Sequence, residues 1–385
     1  MPELTSYAVV FAVSGLVTVV ATPVVRRLAI RLGAVVPPDE RMVHEQPTPT
    51  LGGIAMLVGM LAGFAVALAM PEFDSVFARS SELLGIVLAS VVILLVGVID
   101  DLREISAPAK TAGMVLAGSI LSFAGVALLV LRVPFFDLFL LSPDWSALLT
   151  VLWVVGMANA INLIDGLDGL AAGIVAIAAG TFFLYALRLA DEGVVLQNNP
   201  APLVAIIAVG ICVGFLPHNF HPARIFMGDG GALLLGVLMA ASTMSVGGRT
   251  AEPFSGQAFF FFAPIFIPLF ILGVPILDTI LAILRRTLGR RSLAGADKEH
   301  LHHRLMRLGH GQRRSVLIMW AWTALLSGFV LYPTYTGEGD AIVPIGVGGL
   351  GLILYTVFHP GVREKTPAKA AAPAEERGTE QAQRS

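Results

Sequence analysis

Asp100 and Asp101 follow a wholly apolar run, VVILLVGVI, which places them at the C-terminal end of a predicted helix. The helix dipole disfavours negative charge there, and a second adjacent carboxylate adds repulsion. Solvation at an interface would account for one such acid. For two, a nearby cation or metal ion would remove the conflict, which marks the pair as functional. Asn159, Asn162, Asp165 and Asp168 recur every third residue, so on a helix they drift slowly around roughly one face. A polar seam between helices would use the same pattern. Gly166 and Gly169, however, directly follow the two acids and suggest that backbone or ligand approaches closely. Oxygen-only donors of this kind suit magnesium rather than zinc.

Two further sets carry weaker signals. In FMGDGGA, Asp229 stands between Gly228 and Gly230 just before an apolar run. Taken alone this is a plain turn, although such a turn at a helix start also presents amides to anions such as phosphate. His300, His302 and His303 lie among Lys298, Arg304 and Arg307, which fits an anion-binding patch better than a zinc site without a matching third group. Asp278, seven residues before Arg285, is open to either a functional role or pairing within a bundle.

The elements that must hold these residues are dictated by composition. The chain has 385 residues, of which 56% are hydrophobic and 14% charged, with a mean hydropathy of +0.81. So few charges cannot cover the surfaces of two or three soluble domains, and lipid is the remaining solvent. Cys212 is the only cysteine, which excludes an intrachain disulfide framework and a thiolate zinc site. Apolar windows of the length that spans a bilayer predict an all-α, polytopic membrane protein with eleven spans. They run near 4–25, 51–70, 83–99, 111–131, 146–164, 169–189, 201–217, 232–247, 257–284, 314–333 and 341–359. Pro264, Pro268 and Pro275 predict a broken ninth span. Gly59 and Gly63 form a GxxxG packing motif. The first segment lacks a basic leader and reads as a retained span.

Alternating the connections with the N-terminus outside puts only Arg79, Arg132, Arg188 and Arg249 on the outer side. The other 21 of the 25 Lys and Arg then lie on the side that the positive-inside rule assigns to the cytoplasm, together with the C-terminus. All five polar clusters, within residues 37–53, 98–110, 159–171, 218–232 and 297–305, fall on that same side. The expected site is therefore cytoplasmic and assembled from five connections of a domain spanning 1–361, followed by a disordered cytoplasmic tail, 362–385. An ion-coupled transporter is the rival class, but it would place its acids near the midplane and show inverted repeats.

DDLREISAPAK, NAINLIDGLDGLA, FMGDGGA and HLHH, in this order, resemble the polyprenyl-phosphate N-acetylhexosamine-1-phosphate transferase family over nearly all of residues 1–358. The resemblance implies a magnesium-dependent phosphotransferase, with manganese as a substitute, that moves a sugar 1-phosphate from a uridine diphosphate sugar to a polyprenyl phosphate and releases UMP. The split histidine motif, with Arg41 and His44 ahead of PTPTLGG, resembles the subfamily using UDP-N-acetylglucosamine. Phospho-N-acetylmuramoyl-pentapeptide transferase is the alternative. Residue by residue, the resemblance implies Asp229 and Asn162 as metal ligands and Asp100 and Asp101 beside the acceptor phosphate, with Asp165 a further catalytic candidate. It also implies Lys110, His300, His302 and His303 on the pyrophosphate, Asn219 and Asp168 towards the uridine, and Asn159, Arg41 and His44 among the substrate-binding residues. Homodimers are common in the family, and Ala232 stands where its motif often has serine.

Overall fold

The computed structural model describes residues 2–37, 47–78, 81–132, 138–247, 305–306, 310–336 and 342–358. Eleven α-helices account for most of them: α1 (Leu4–Leu32), α2 (Gly52–Leu68), α3 (Asp74–Phe77), α4 (Ser81–Arg103), α5 (Ala107–Phe123), α6 (Pro143–Ile164), α7 (Leu170–Asp191), α8 (Ala201–Asn219), α9 (Gly228–Gly247), α10 (Gln312–Thr336) and α11 (Ile342–Phe358). Among the described residues, seven helices are long and apolar enough to cross a membrane. The count becomes eight if α2 and the short segment after it, bent by 92°, form one broken span. The molecule is a polytopic membrane protein, and ten of the eleven predicted segments coincide with helix. The ninth, 257–284, and the tail, 362–385, lie outside the described residues.

Two departures from an all-helical reading occur at connections. Val35–Val36 (β1) pairs antiparallel with Thr48–Pro49 (β2), and Val130–Arg132 (β3) with Leu138–Leu140 (β4). The fourth predicted span, 111–131, accordingly starts earlier and ends at Phe123. Gly125 adopts a positive φ of 94°, and the apolar residues after it run irregularly until strand β3 begins at Val130. Hydropathy alone does not separate such a run from helix.

Helix α9 is the centre of the bundle, buried along nearly its whole length and packed by α2, α4, α6 and α8. In lipid there is little hydrophobic drive between apolar helices, so close backbone approach has to supply the attraction. Small residues permit it here. A methyl group at Gly97 of α4 would overlap the Gly230 backbone, one at Gly53 of α2 would overlap Gly231, and one at Gly236 would overlap Ala158 of α6. Gly59 and Gly63 similarly admit Thr18 and Ser14 of α1.

Alternating helix direction brings the C-terminal ends of α1, α4, α6 and α8 together with the N-terminal ends of α2, α5, α7, α9 and α10. Backbone and side-chain bonds fasten this end. The Gly52 and Gly53 amides donate to the carbonyls of Phe226 and Met227 at 3.0 and 2.9 Å. Arg26 Nε donates to the Arg224 carbonyl at 2.9 Å, and Arg313 Nε to the His221 carbonyl at 3.2 Å. The described residues of four of the five polar clusters thus meet. The fifth, 297–305, lies outside the described residues apart from the Leu305 at its edge.

Candidate active site

Asp100 and Asp101 occupy the last turn of α4, as the apolar run before them predicts. Their misplaced charge is met in two ways. Asp100 Oδ1 accepts the Ile105 amide at 2.8 Å, and Oδ2 accepts Lys110 Nζ from the first turn of α5 at 2.7 Å. Asp101 turns towards α9, where Oδ1 accepts the Asp229 amide at 3.0 Å and Oδ2 the Gly230 amide at 3.4 Å. Thr50 Oγ1 donates to the same carboxylate at 3.4 Å. Asp101 therefore caps α9 from another helix, with the negative end of the α4 dipole against the positive end of the α9 dipole.

Two sequence expectations are corrected here. Asp229 lies within the first turn of α9, which begins at Gly228, rather than in a turn ahead of the helix. The amides of residues 229 and 230 are taken by Asp101, so this helix start is not an open phosphate cradle. Gly228 is required at the junction: its φ is 70°, and any Cβ would collide with the Asp101 carboxylate and the Thr50 hydroxyl.

Lys110 Nζ also pairs with Asp229 Oδ2, so one ammonium joins the carboxylates of α4 and α9. The resemblance places Lys110 on pyrophosphate; in this structure its partners are the two acids. Two carboxylate oxygens consequently converge on a single cation position. A magnesium ion fits such a donor set, since it keeps several waters and takes one or two protein carboxylates. No group of three acidic, histidine or cysteine side chains is arranged as a metal cage among the described residues.

The Asn159 to Asp168 series does not stay on one helix face. Helix α6 ends at Ile164, Asp165 has non-helical dihedrals, and Gly169, with φ 75°, starts α7. The helical period thus relates only Asn159 and Asn162. Asn159 Nδ2 donates to the Val155 carbonyl at 2.8 Å and to Met114 Sδ at 3.2 Å; Asn162 is half-buried on the last turn of α6. Half-buried Asp165 has its pKa pushed up to about 8, first by burial and then by the charges of Asp229, Asp101 and Asp168.

Asn219 and Asp168 are both buried and occupied. Asn219 Oδ1 accepts the Gly169 amide and Nδ2 donates to the Ile225 carbonyl, both at 3.0 Å. Asp168 Oδ2 accepts His221 Nδ1 at 2.7 Å and the Ala223 amide at 3.0 Å. These bonds zip the 165–169 turn to the 219–225 loop. Sequence reasoning did not single out Thr50, Gly97 or His221. His221 lay in a recognised cluster, but nothing in its spacing announced an acid 53 residues earlier. Arg41, His44, Asp278, His300, His302 and His303 lie outside the described residues.

A cavity of about 440 Å³ opens beside Asp101, lined by Gly33, Val35, Thr50, Arg103 and Glu104 among others. The arrangement offers carboxylates poised for a cation, an ammonium between them, and a nearby carboxyl whose pKa is raised by burial and by the surrounding acids. Such a set can bind and orient phosphorylated groups, for which charge neutralisation matters more than covalent machinery.

Comparison with known proteins agrees with this chemistry. The family model described as glycosyl transferase family 4 matches residues 83–247, the stretch holding Asp100, Asp101, Lys110, Asp165 and Asp229. A decaprenyl-phosphate N-acetylglucosaminephosphotransferase from Mycolicibacterium smegmatis is 38% identical over 92% of this chain and 89% of its own. A probable undecaprenyl-phosphate N-acetylglucosaminyl 1-phosphate transferase from Bacillus subtilis is also 38% identical, over 84% and 82%. A phospho-N-acetylmuramoyl-pentapeptide-transferase from Desulforudis audaxviator is more distant, at 32% over 83% and 94%.

Proposed function

The chain belongs to glycosyl transferase family 4, and from that premise we propose that it transfers N-acetylglucosamine 1-phosphate from UDP-N-acetylglucosamine to a polyprenyl phosphate. The products are polyprenyl-diphospho-N-acetylglucosamine and UMP, and the reaction is the first lipid-linked step of a cell-envelope polysaccharide. The observation that carries this reading is the convergence of Asp100, Lys110 and Asp229, from α4, α5 and α9, at one end of a membrane bundle. Higher identity to the N-acetylglucosamine-phosphate relatives than to the pentapeptide transferases supports the choice of donor. The lipid carrier is decaprenyl or undecaprenyl phosphate, as in the names of the relatives.

In the proposed reaction an oxygen of the lipid phosphate attacks the β-phosphorus of the donor. The new P–O bond forms as the bond to the bridging oxygen breaks, and that electron pair leaves with UMP. A lipid phosphate is ionised at neutral pH, so no base is required, and an aspartyl-phosphate intermediate is the less favoured route. Magnesium would be held by Asp229 and Asn162, with Asp100 as a further contact from α4, and would neutralise charge on the diphosphate. Lys110 orients the two acids and faces phosphate when either releases it. Asp101 fixes α9, and hence Asp229, relative to α4. Burial and the neighbouring acids disfavour the charge of Asp165 in the metal-free site, which limits the repulsion an anionic substrate meets there.

The same reading includes eleven spans in the cell membrane, N-terminus out and C-terminus cytoplasmic, a cytoplasmic-face site and a homodimer. It is tested by incubating purified protein with labelled UDP-N-acetylglucosamine, polyprenyl phosphate and magnesium. Lipid-linked product and UMP are expected. Product with UDP-N-acetylmuramoyl-pentapeptide alone would move the chain to the other subfamily, and no product with either donor would refute the reading.

A further inference from the structure

His221 is the point where three connections meet. Its imidazole Nδ1 lies 2.7 Å from the Asp168 carboxylate, which belongs to the turn between α6 and α7. Its carbonyl accepts Arg313 Nε, from the first turn of α10, at 3.2 Å. The loop it occupies is pinned through Asn219, 2% exposed, to Gly169 and Ile225. The chain entering α10 is the one that carries His300, His302 and His303 a few residues upstream.

The acid in this pair is committed. Asp168 is 6% exposed, and Oδ2 already receives the imidazole and the Ala223 amide. The imidazole is not: its side chain is 35% exposed, and Nε2 makes no hydrogen bond or ion pair among the described residues. A carboxylate that accepts from Nδ1 fixes the ring orientation and leaves Nε2 as the free ring nitrogen, where an incoming phosphate oxygen would share a proton with the ring. Arg313 brings positive charge to the backbone of the same residue. A ring nitrogen fixed in this way suits an anionic oxygen that brings or shares the proton between them.

We propose that His221 is a donor-substrate-binding residue whose Nε2 hydrogen-bonds a phosphate oxygen of the nucleotide diphosphate, with Asp168 as its positioning residue. This rests on the functional reading above and changes the assignment within it: the side chain offered to the nucleotide is the imidazole, and Asp168 acts through it. The site then has two poles. The acids form the cation-binding pole, where Lys110 now pairs with them, and His221 with Arg313 faces the nucleotide's own phosphate, which becomes the leaving group.

The test uses full-length protein in nanodiscs, with UDP and UMP as probes in titration calorimetry and steady-state kinetics alongside. Losing a hydrogen bond to a charged group predicts that His221→Ala weakens UDP binding about tenfold or more. The KM for the UDP-sugar should rise likewise, with the KM for polyprenyl phosphate unchanged. His221→Gln, which keeps the volume, the backbone carbonyl and an N–H near the Nε2 position, should regain part of the loss and guards against a folding defect. Adding Asp168→Asn to His221→Ala should weaken UDP binding no further. Wild-type UDP affinity in His221→Ala, or fully additive losses in the double variant, would overturn the inference alone. A wild-type protein that binds neither UDP nor UMP would overturn the functional reading and this inference with it.

Discussion

Replacing Lys110 by methionine removes the ammonium that joins Asp100 and Asp229 while keeping most of the aliphatic stem. In the wild-type protein the nitrogen lies 2.7 Å from Asp100 Oδ2 and is also paired with Asp229 Oδ2. Two oxygens held by one ammonium are at most roughly 5 Å apart, and unit charges at that distance repel by about 3 kcal/mol at an effective dielectric near 20. The three side chains retain 18%, 11% and 31% of their exposure, so water screens part of this. The expected destabilisation is therefore about 1–3 kcal/mol at low salt, below the ~3–5 kcal/mol of a fully buried broken pair. It should appear as a thermal midpoint lowered by a few degrees in EDTA, followed by intrinsic fluorescence in detergent. Magnesium relieves the same repulsion, so it should raise the midpoint of Lys110→Met more than that of wild type. High salt should narrow the gap, and adding Asp100→Asn should largely close it. Equal midpoints in EDTA, or equal stabilisation of both proteins by magnesium, would refute the idea that the acids share one cation position.

Other perturbations probe how the site is held. Gly97→Ala forces a methyl into the Gly230 backbone and should cost about 1–3 kcal/mol by overpacking, with turnover falling as α4 and α9 separate; a midpoint and a rate report both. Asp101→Ala removes the cap on α9 and should cost about 0.5–2 kcal/mol, whereas Asp101→Asn, which keeps an acceptor oxygen, should lose less stability. For Asp165 the pKa in the folded protein is raised from 3.8 to about 8. The unfolded chain releases this proton first, so the stabilising contribution is full below pH 4 and is lost as pH rises towards 8 and beyond. Metal-free Asp165→Asn should therefore lose less stability than wild type between pH 4 and 9, as measured by thermal midpoints across that range.

Much of the helical architecture is legible along the chain. Spans such as 83–99 and 201–217 sit inside α4 and α8 because a long apolar run has few alternatives in lipid. The run 111–131 was harder, since β3 draws on the same apolar residues as helix. At the site, Asp100 and Asp101 announced themselves by their position after VVILLVGVI, and the need for a nearby cation followed from the helix dipole. The identity of that cation did not, because Lys110 is one of several basic residues in the surrounding connections. The three-residue spacing of Asn159 to Asp168 suggested a helix face, but α6 ends at Ile164 and the two acids fall in the turn before α7, a break that the glycines beside them permit without requiring.

By itself the sequence determined that the protein lives in lipid. Backbone amides and carbonyls there must be satisfied within each segment, so long hydrophobic runs translate into helices, and charges gather at helix ends and in connections. The tertiary structure alone decided which of those charges meet. Lys110 and Asp229 are 119 residues apart, and Asp101 reaches the α9 amides only because Gly97 lets α4 lie against Gly230. Such pairings depend on the rotation and depth of whole helices against each other, and these are set by close packing across the bundle rather than by any local pattern.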